Sequence, residues 1–224
     1  MRGQEGRHAT TVRRLAAGET AYVTDGAGTV AECEVAAARP GELELLVVRV
    51  GAEPAPVPSL AVAQAIPKGD RAELAVELLT EVGADVIIPW AAQRCVVQWR
   101  GDRAAKSLAR WQSTALQAAK QSRRAWFPEI TPQAGLEALT ERVASAALAV
   151  LLDGDAPGRL ADVAVPDRGE VLLIVGPEGG ISQAEHAALQ AAGAVTARLG
   201  PTVLRASSAG IAAAAIVLSS TTRW

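Results

Sequence analysis

Two short stretches of this chain have the residue types to hold a ligand against a reacting atom. One is GPEGG, Gly176–Gly180; the other is LGPTVLR, Leu199–Arg205. Glycines at 176, 179 and 180 let the backbone turn sharply and approach a ligand closely. Glu178 and Arg205 add one anion and one cation. An arginine in such a loop can stabilise a developing anion, or it can pair with Glu178. The glutamate can orient a ligand, act as a base, or favour the start of the following helix. Neither GxGxxG nor GxxxxGK[ST] occurs, so neither a dinucleotide fingerprint nor a phosphate-cradling P-loop is supported. Cys33 and Cys95 stand alone, without metal spacing, and His8 and His186 are the two histidines. No metal centre is expected, and the isolated thiols fit a reduced, cytoplasmic protein.

The elements around these loops are legible. Val171–Val175 is a short apolar run, as expected of a strand buried on both faces. Ser182 with Glu185 is a capping-box pattern, so a helix should begin near Gln183, with Gly193 as its C-terminal cap. A short strand over VTA and an alanine-rich final helix follow. Both loops then lie at carboxyl ends of strands, where open α/β sheets bind ligands.

Upstream, LAVAQAI (60–66), DVIIP (85–89, stopped by Pro89), CVVQW (95–99) and ALAVLLD (147–153) read as strands. Between them, a helix is expected after Asp70 and Glu73, in capping-box spacing, ending at Gly83 with Leu74, Leu78 and Val82 on one face. A long helix should start after Asp102, with Leu108, Trp111, Ala115, Ala119 and Ser122 as its stripe, and run to Phe127–Pro128. Another should be capped by Thr131 with Pro132 in its first turn. Strands alternating with helices from residue 60 onward predict a mostly parallel α/β sheet.

Residues 1–50 read as a small β unit. Two alternating segments flank DGAG (25–28), a hairpin signal; a third strand covers 43–50; and RHATTVRRLAAG should form a short helix ended by Gly18. GAEPAPVPS (51–59) is stiff and extended, which places a boundary between 1–57 and 58–224. The net charge of −2 counts against a nonspecific DNA binder. Basic residues nevertheless cluster at Arg7, Arg13 and Arg14, around Arg94, and at Lys120–Arg124. There Gln121 and Arg124, three apart, share a helix face. No apolar run reaches the ~18 residues of a membrane helix.

KGDR at 68–71, Glu81 and Gly83 before a strand ending in Pro89, WQ…A…QS.R…PEI from Trp111 to Ile130, LIVGPEGG and LGPTVLR occur in this order over nearly the whole chain. In these blocks the sequence resembles the RsmE family of SPOUT methyltransferases, the 16S rRNA (uracil-N3)-methyltransferases. The resemblance implies an N-terminal PUA-like β-barrel for RNA, which here would lack its first strand. It also implies an α/β domain with a C-terminal trefoil knot, a homodimer, and S-adenosylmethionine held in the knot loops.

Carried over by position, the cofactor loops are Leu152–Asp153, then Val175, Gly176, Pro177, Glu178, Gly179 and Gly180, then Leu199, Gly200, Leu204, Arg205 and Ala206. The implied substrate is 16S rRNA or the assembled small subunit. Arg7, Arg13, Arg14, Lys68, Arg94, Gln121 and Arg124 would contact RNA, while Arg205 and Glu178 would act in catalysis. The sequence departs from the family at Leu78, where a lysine is common, at Thr202, where an arginine is common, and at Ser207–Ser208, where Glu-Thr is common. These serines can still cap the last helix. A different SPOUT enzyme acting on tRNA ribose, or a non-catalytic RNA-binding homologue, are the rival readings.

Overall fold

Val171–Val175 is apolar throughout because both of its faces are covered. In the computed structural model, which describes residues 1–224 except the side chain of Gln4, it lies in the strand Glu170–Val175, inside a six-stranded sheet. The chain divides into two units, Met1–Ala55 and Pro56–Trp224.

In the first unit, helix α1 (Gly3–Arg7) runs into a π-helical turn, His8–Val12. The helix does not reach Gly18: Arg14 takes a left-handed φ of 53° and turns the chain away. Strands β1 (Thr20–Thr24), β2 (Thr29–Arg39) and β3 (Glu42–Ala52) form an antiparallel sheet in that order. The β1–β2 connection is the expected DGAG turn, held by Asp25 Oδ1, which accepts from the Ala27 and Thr29 N–H groups. Val35, Leu43 and Ala9 make its small core. The described strands form an open three-stranded sheet; the chain start pairs with β3, Leu43 N–H donating to Met1 O at 2.9 Å.

In the second unit the strands are β4 (Ser59–Ala65), β5 (Val86–Trp90), β6 (Glu129–Ile130), β7 (Leu148–Leu152), β8 (Glu170–Val175) and β9 (Val195–Ala197). All neighbours are parallel, in the order β6-β5-β4-β8-β7-β9. The chain builds outward from β4 to one side and then returns to build the other. That leaves a switch point beside β4 and β8, where ligand crevices form.

The helices are α2 (Arg71–Val82), α3 (Asp102–Gln121), α4 (Leu136–Ser145), α5 (Gln183–Ala191) and α6 (Ala206–Ser219). Helix α5 begins in the expected capping box, with Ser182 and Glu185 bonded reciprocally, and Gly193 follows it at φ 111°.

Several local expectations are corrected. Asp70 makes no side-chain cap; backbone bonds from Ala72 to Gly69 and from Leu74 to Asp70 start α2 instead. The buried face of α2 is Ala75, Val76, Leu79, Thr80 and Val82, while Leu74 is exposed. Strand β5 continues through Pro89 to Trp90. Residues 95–99 form no strand: Cys95 closes a turn onto Ala92, and Trp99 packs edge-on against Trp111 at 5.1 Å. Helix α3 stops at Gln121 because Arg123 adopts a left-handed φ of 57°, well before Phe127. Thr131 and Pro132 do not begin α4. Ala134 is bridged to β5 through Pro89 O and Ala91 N–H, so the segment stays extended until Gly135. Ser207 and Ser208 lie within the first turn of α6, whose N-cap is Arg205.

The alanine-rich helix α6 packs on α2, β4 and β8. Its Gly210 allows this, since a Cβ there would sit 3.1 Å from Leu79 and 3.2 Å from Gln64 Oε1. At the opposite, amino edge of the sheet, Asp85 accepts from Leu60 N–H, Arg124 and Arg223.

Candidate functional site: three loops at the carboxyl edge

Because β8, β7 and β9 are consecutive neighbours in a parallel sheet, the segments that follow them emerge at one edge. They contain Leu152–Asp153, Gly176–Gly180 and Leu199–Ala206.

The first and third loops are stitched together. Arg198 N–H donates to Gly158 O at 3.0 Å, Leu160 N–H donates to Arg198 O at 2.8 Å, and the Arg198 guanidinium donates to Ala156 O at 2.6 Å and to Pro157 O. Asp153 N–H reaches Ala197 O at 3.1 Å. The Asp153 carboxylate faces its own fold: Oδ1 accepts from Asp155 N–H at 3.0 Å, and Oδ2 lies 3.0 Å from His186 Nε2 on α5. Any ligand contact at this position therefore falls first to its backbone.

In the second loop, Gly180 N–H returns to Pro177 O at 2.9 Å, closing a tight turn. Glycine is required by contact. A Cβ at Gly176 would come within 2.7 Å of Ile181, and one at Gly179 within 3.2 Å of Arg94 Cβ and 3.3 Å of Arg94 O. Val175 and Pro177 are buried, Leu152 and Leu199 are half-buried, and Gly179, Gly180, Glu178, Leu204 and Arg205 are exposed. Ala206 is buried at the start of α6. Backbone groups in glycine-bearing turns, flanked by leucines, suit a flat purine base. They do not suit a phosphate chain, since no N-terminal cradle of the P-loop type is present.

Among the described residues, neither Glu178 nor Arg205 forms an ion pair, so the two are not partners in this fold. The hydrogen-bonded cap at the start of α5 is made by Ser182 and Glu185.

The basic residues separate. Arg94 and Lys68 are exposed after β5 and β4, at the same carboxyl edge as the loops. Arg94 Nη1 donates to Gly179 O at 3.2 Å. Gln121 is exposed but ends α3 near the amino edge. Arg124, expected as an RNA contact, is turned inward. Its guanidinium donates to Trp126 O, Thr80 O, Ala84 O and Asp85, and its side chain is 11% exposed. Burial lowers its pKa from the ordinary value, and the Asp85 carboxylate opposes that shift. It is a structural cation, which removes it from an RNA surface. In the first unit Arg7, Arg13 and Arg14 are exposed.

Sequence reasoning saw Glu185 only as a cap. It missed that its second oxygen binds Gln93 N–H at 2.6 Å, and it missed the His186–Asp153 pair. Neither had a sequence signal, because both depend on which strands are neighbours. A surface depression of about 430 Å3 lies elsewhere, among Ala138, Glu141, Arg142, Ser145 and Glu170. Its Arg142 and Glu170 already satisfy each other at 2.6 Å.

The family model of an RNA methyltransferase domain matches residues 53–218, and that of an RNA methyltransferase PUA domain matches residues 2–48. The ribosomal RNA small subunit methyltransferase E of Mycobacterium bovis is 45% identical over 227 residues, covering 99% of this chain and 86% of that protein. Its namesake in Bacillus subtilis is 32% identical over 215 residues, covering 92% and 84%. The crystal structure of a ribosomal RNA small subunit methyltransferase E from Neisseria gonorrhoeae bound to S-adenosyl methionine superposes with a TM-score of 0.86 at 26% identity, covering 98% of this chain and 90% of that one. Motif order, sheet topology and these matches agree: the chain belongs to the RsmE family of ribosomal RNA small subunit methyltransferases.

Proposed function

We propose that this protein transfers a methyl group from S-adenosylmethionine to N3 of a uracil in the 16S rRNA of the small ribosomal subunit. It does so in the cytoplasm and as a homodimer. The observation that carries the reading is the meeting of three loops at one sheet edge, with Gly176 in the second loop where a Cβ would collide with Ile181. The similarity to a relative whose structure holds S-adenosyl methionine supports it.

Leu152, Asp153 and the backbone of Val175–Gly180 would hold the cofactor together with Leu199, Gly200, Leu204 and the backbone of Arg205 and Ala206. When bound, S-adenosylmethionine supplies a methyl group already activated on a sulfonium. The protein then mainly supplies proximity and orientation. Uracil N3–H is a weakly acidic imide and must lose its proton. Arg205, exposed and without an ion-pair partner among the described residues, is available to stabilise the uracil anion. Glu178, equally exposed, is available to orient the cofactor or to take the proton. Lys68 and Arg94 would meet RNA at this edge, and Arg7, Arg13 and Arg14 would hold phosphates in the first unit.

The path of the chain from β9 supports a trefoil knot. After Ala197 it is bonded to the segment following β7 at Gly158 and Leu160, and α6 then packs back on α2 and β4. Such threading is otherwise almost absent from proteins.

Methyl transfer to small-subunit particles and to tRNA, compared side by side, tests the substrate. Mapping 3-methyluridine in rRNA of a deletion strain tests the position, and the modification should disappear. If the 3-methyluridine persists in that strain, the proposal fails.

A further inference from the structure

We infer that the turn Ala92–Cys95 is a fourth wall of the site, and that Glu185 is the positioning residue that fixes this turn, and with it Arg94, against the second cofactor loop. The inference rests on the methyl-transfer reading above. It assigns to Glu185 a task that a helix cap does not require.

Glu185 is 5% exposed. A buried carboxylate is stable only when its oxygens are satisfied. Oε2 accepts from Ser182 N–H at 3.0 Å and from Ser182 Oγ at 2.7 Å, which completes the cap of α5. Oε1 is left over, and it accepts at 2.6 Å from the N–H of Gln93, ninety-two residues earlier in the chain. One carboxylate thus joins the segment after β8 to the segment after β5, which belong to different crossovers.

The contact is made close by glycine. At Gly179 any Cβ would press on the Cβ and the carbonyl of Arg94 at 3.2 and 3.3 Å. The turn therefore lies directly on the glycine loop. Arg94 Nη1 donates to Gly179 O at 3.2 Å. The side chain stays exposed, so other N–H donors of its guanidinium fork remain for an acceptor outside the chain. A planar, permanently charged group held beside a cofactor loop matches a phosphate or a uracil carbonyl, the acceptors that RNA presents. Glu185 thereby ties the geometry of the cofactor loop to that of the RNA-facing cation.

Gln93→Pro isolates this link. Residue 93 is the second residue of a turn closed by Cys95 N–H to Ala92 O at 3.0 Å, a position that favours proline. The substitution keeps the turn and removes the one donor to Glu185 Oε1. Loss of a hydrogen bond to a charged acceptor should raise KM for small-subunit rRNA roughly tenfold or more, while calorimetric affinity for S-adenosylmethionine stays within about twofold. Since Glu185 acts through Arg94, adding Gln93→Pro to Arg94→Ala should raise KM no further than Arg94→Ala alone.

Additive effects in that cycle, or an unchanged KM in Gln93→Pro, overturn the inference. If Gln93→Pro fails to fold, Glu185→Gln replaces it in the same cycle, with the same expected non-additivity. If the wild-type chain itself binds no S-adenosylmethionine, the methyl-transfer reading fails and this inference falls with it. If the wild type binds and methylates but the cycle is additive, only this inference fails.

Discussion

Arg223, the penultimate residue, grips Asp85 with both arms of its guanidinium, Nη1 at 2.7 Å from Oδ2 and Nη2 at 3.2 Å from Oδ1. It also donates to Pro58 O and Gly83 O. Arg223 is thus bolted to the beginnings of β4 and β5, at the edge of the sheet away from the loops after β7, β8 and β9. Asp85 side-chain exposure is 15% and that of Arg223 is 12%. Removing one partner of such a pair leaves an uncompensated charge. Arg223→Ala should destabilise residues 56–224 by about 2–4 kcal/mol. Asp85→Ala, which strands both Arg124 and Arg223, should cost about 3–5 kcal/mol or more. Urea unfolding with an unchanged m-value checks both, and the affinity of the folded variants for S-adenosylmethionine should be unaltered.

Gly210→Ala tests the seat of α6. The added methyl group meets Leu79 at 3.1 Å and the amide oxygen of Gln64 at 3.2 Å inside a closed interior. Overpacking of this kind should cost about 1–3 kcal/mol, read as a lower Tm, whereas Gly158→Ala, with open space at its Cβ, should leave Tm within about a degree.

Arg205→Ala should abolish most turnover. Removing one preorganised stabiliser of a developing anion typically lowers kcat by roughly 100-fold or more, while affinity for S-adenosylmethionine should stay within a few-fold. Single-turnover methylation alongside calorimetry separates the two, and unchanged turnover would dismiss the catalytic role.

His186→Ala removes the brace that holds the Asp153 carboxylate to α5. The pair is about 30% exposed on each side, so its loss should weaken cofactor binding only by about 3- to 10-fold, the equivalent of one ordinary hydrogen bond. His186→Asn, which can still donate, should recover part of it.

The thiols give a pH test. Burial raises the Cys95 pKa above the ordinary thiol value, and nearby Glu178 and Glu185 add to the rise. Cys95 should therefore react with iodoacetamide far more slowly in the folded protein than in urea. A raised folded pKa means that the unfolded chain ionises first. The stability tied to this thiol is complete below the unfolded value and declines as pH climbs through the thiol range.

What the sequence made legible was whatever neighbours in the chain decide. The run Val171–Val175, the Ser182–Glu185 box and Gly193 each specify an element locally, and each is found as expected. The failures share a cause. Thr131–Pro132 has a helix-start signature, but pairing of Ala134 with β5 holds it extended. Arg123 ends α3 in a conformation that no residue type announces, and Asp70 sits at the N-cap of α2 but makes no side-chain cap bond. At the site, GPEGG and LGPTVLR were visible as loops. That Arg124 turns inward while Arg94 lies on Gly179 depends on strand order, which periodicity does not carry.

The strand order also sets a timetable for synthesis. Ser59, opening β4, bonds to Gly169, which lies 110 residues later in the chain, directly before the partner strand β8. At translation speeds of about 5–20 residues per second, β4 waits on the order of 5–20 seconds for that neighbour to be made. The first unit, whose strands pair within about thirty residues of one another, can meanwhile fold on its own. A nascent chain halted between β4 and β8 thus carries an apolar strand without its central partner.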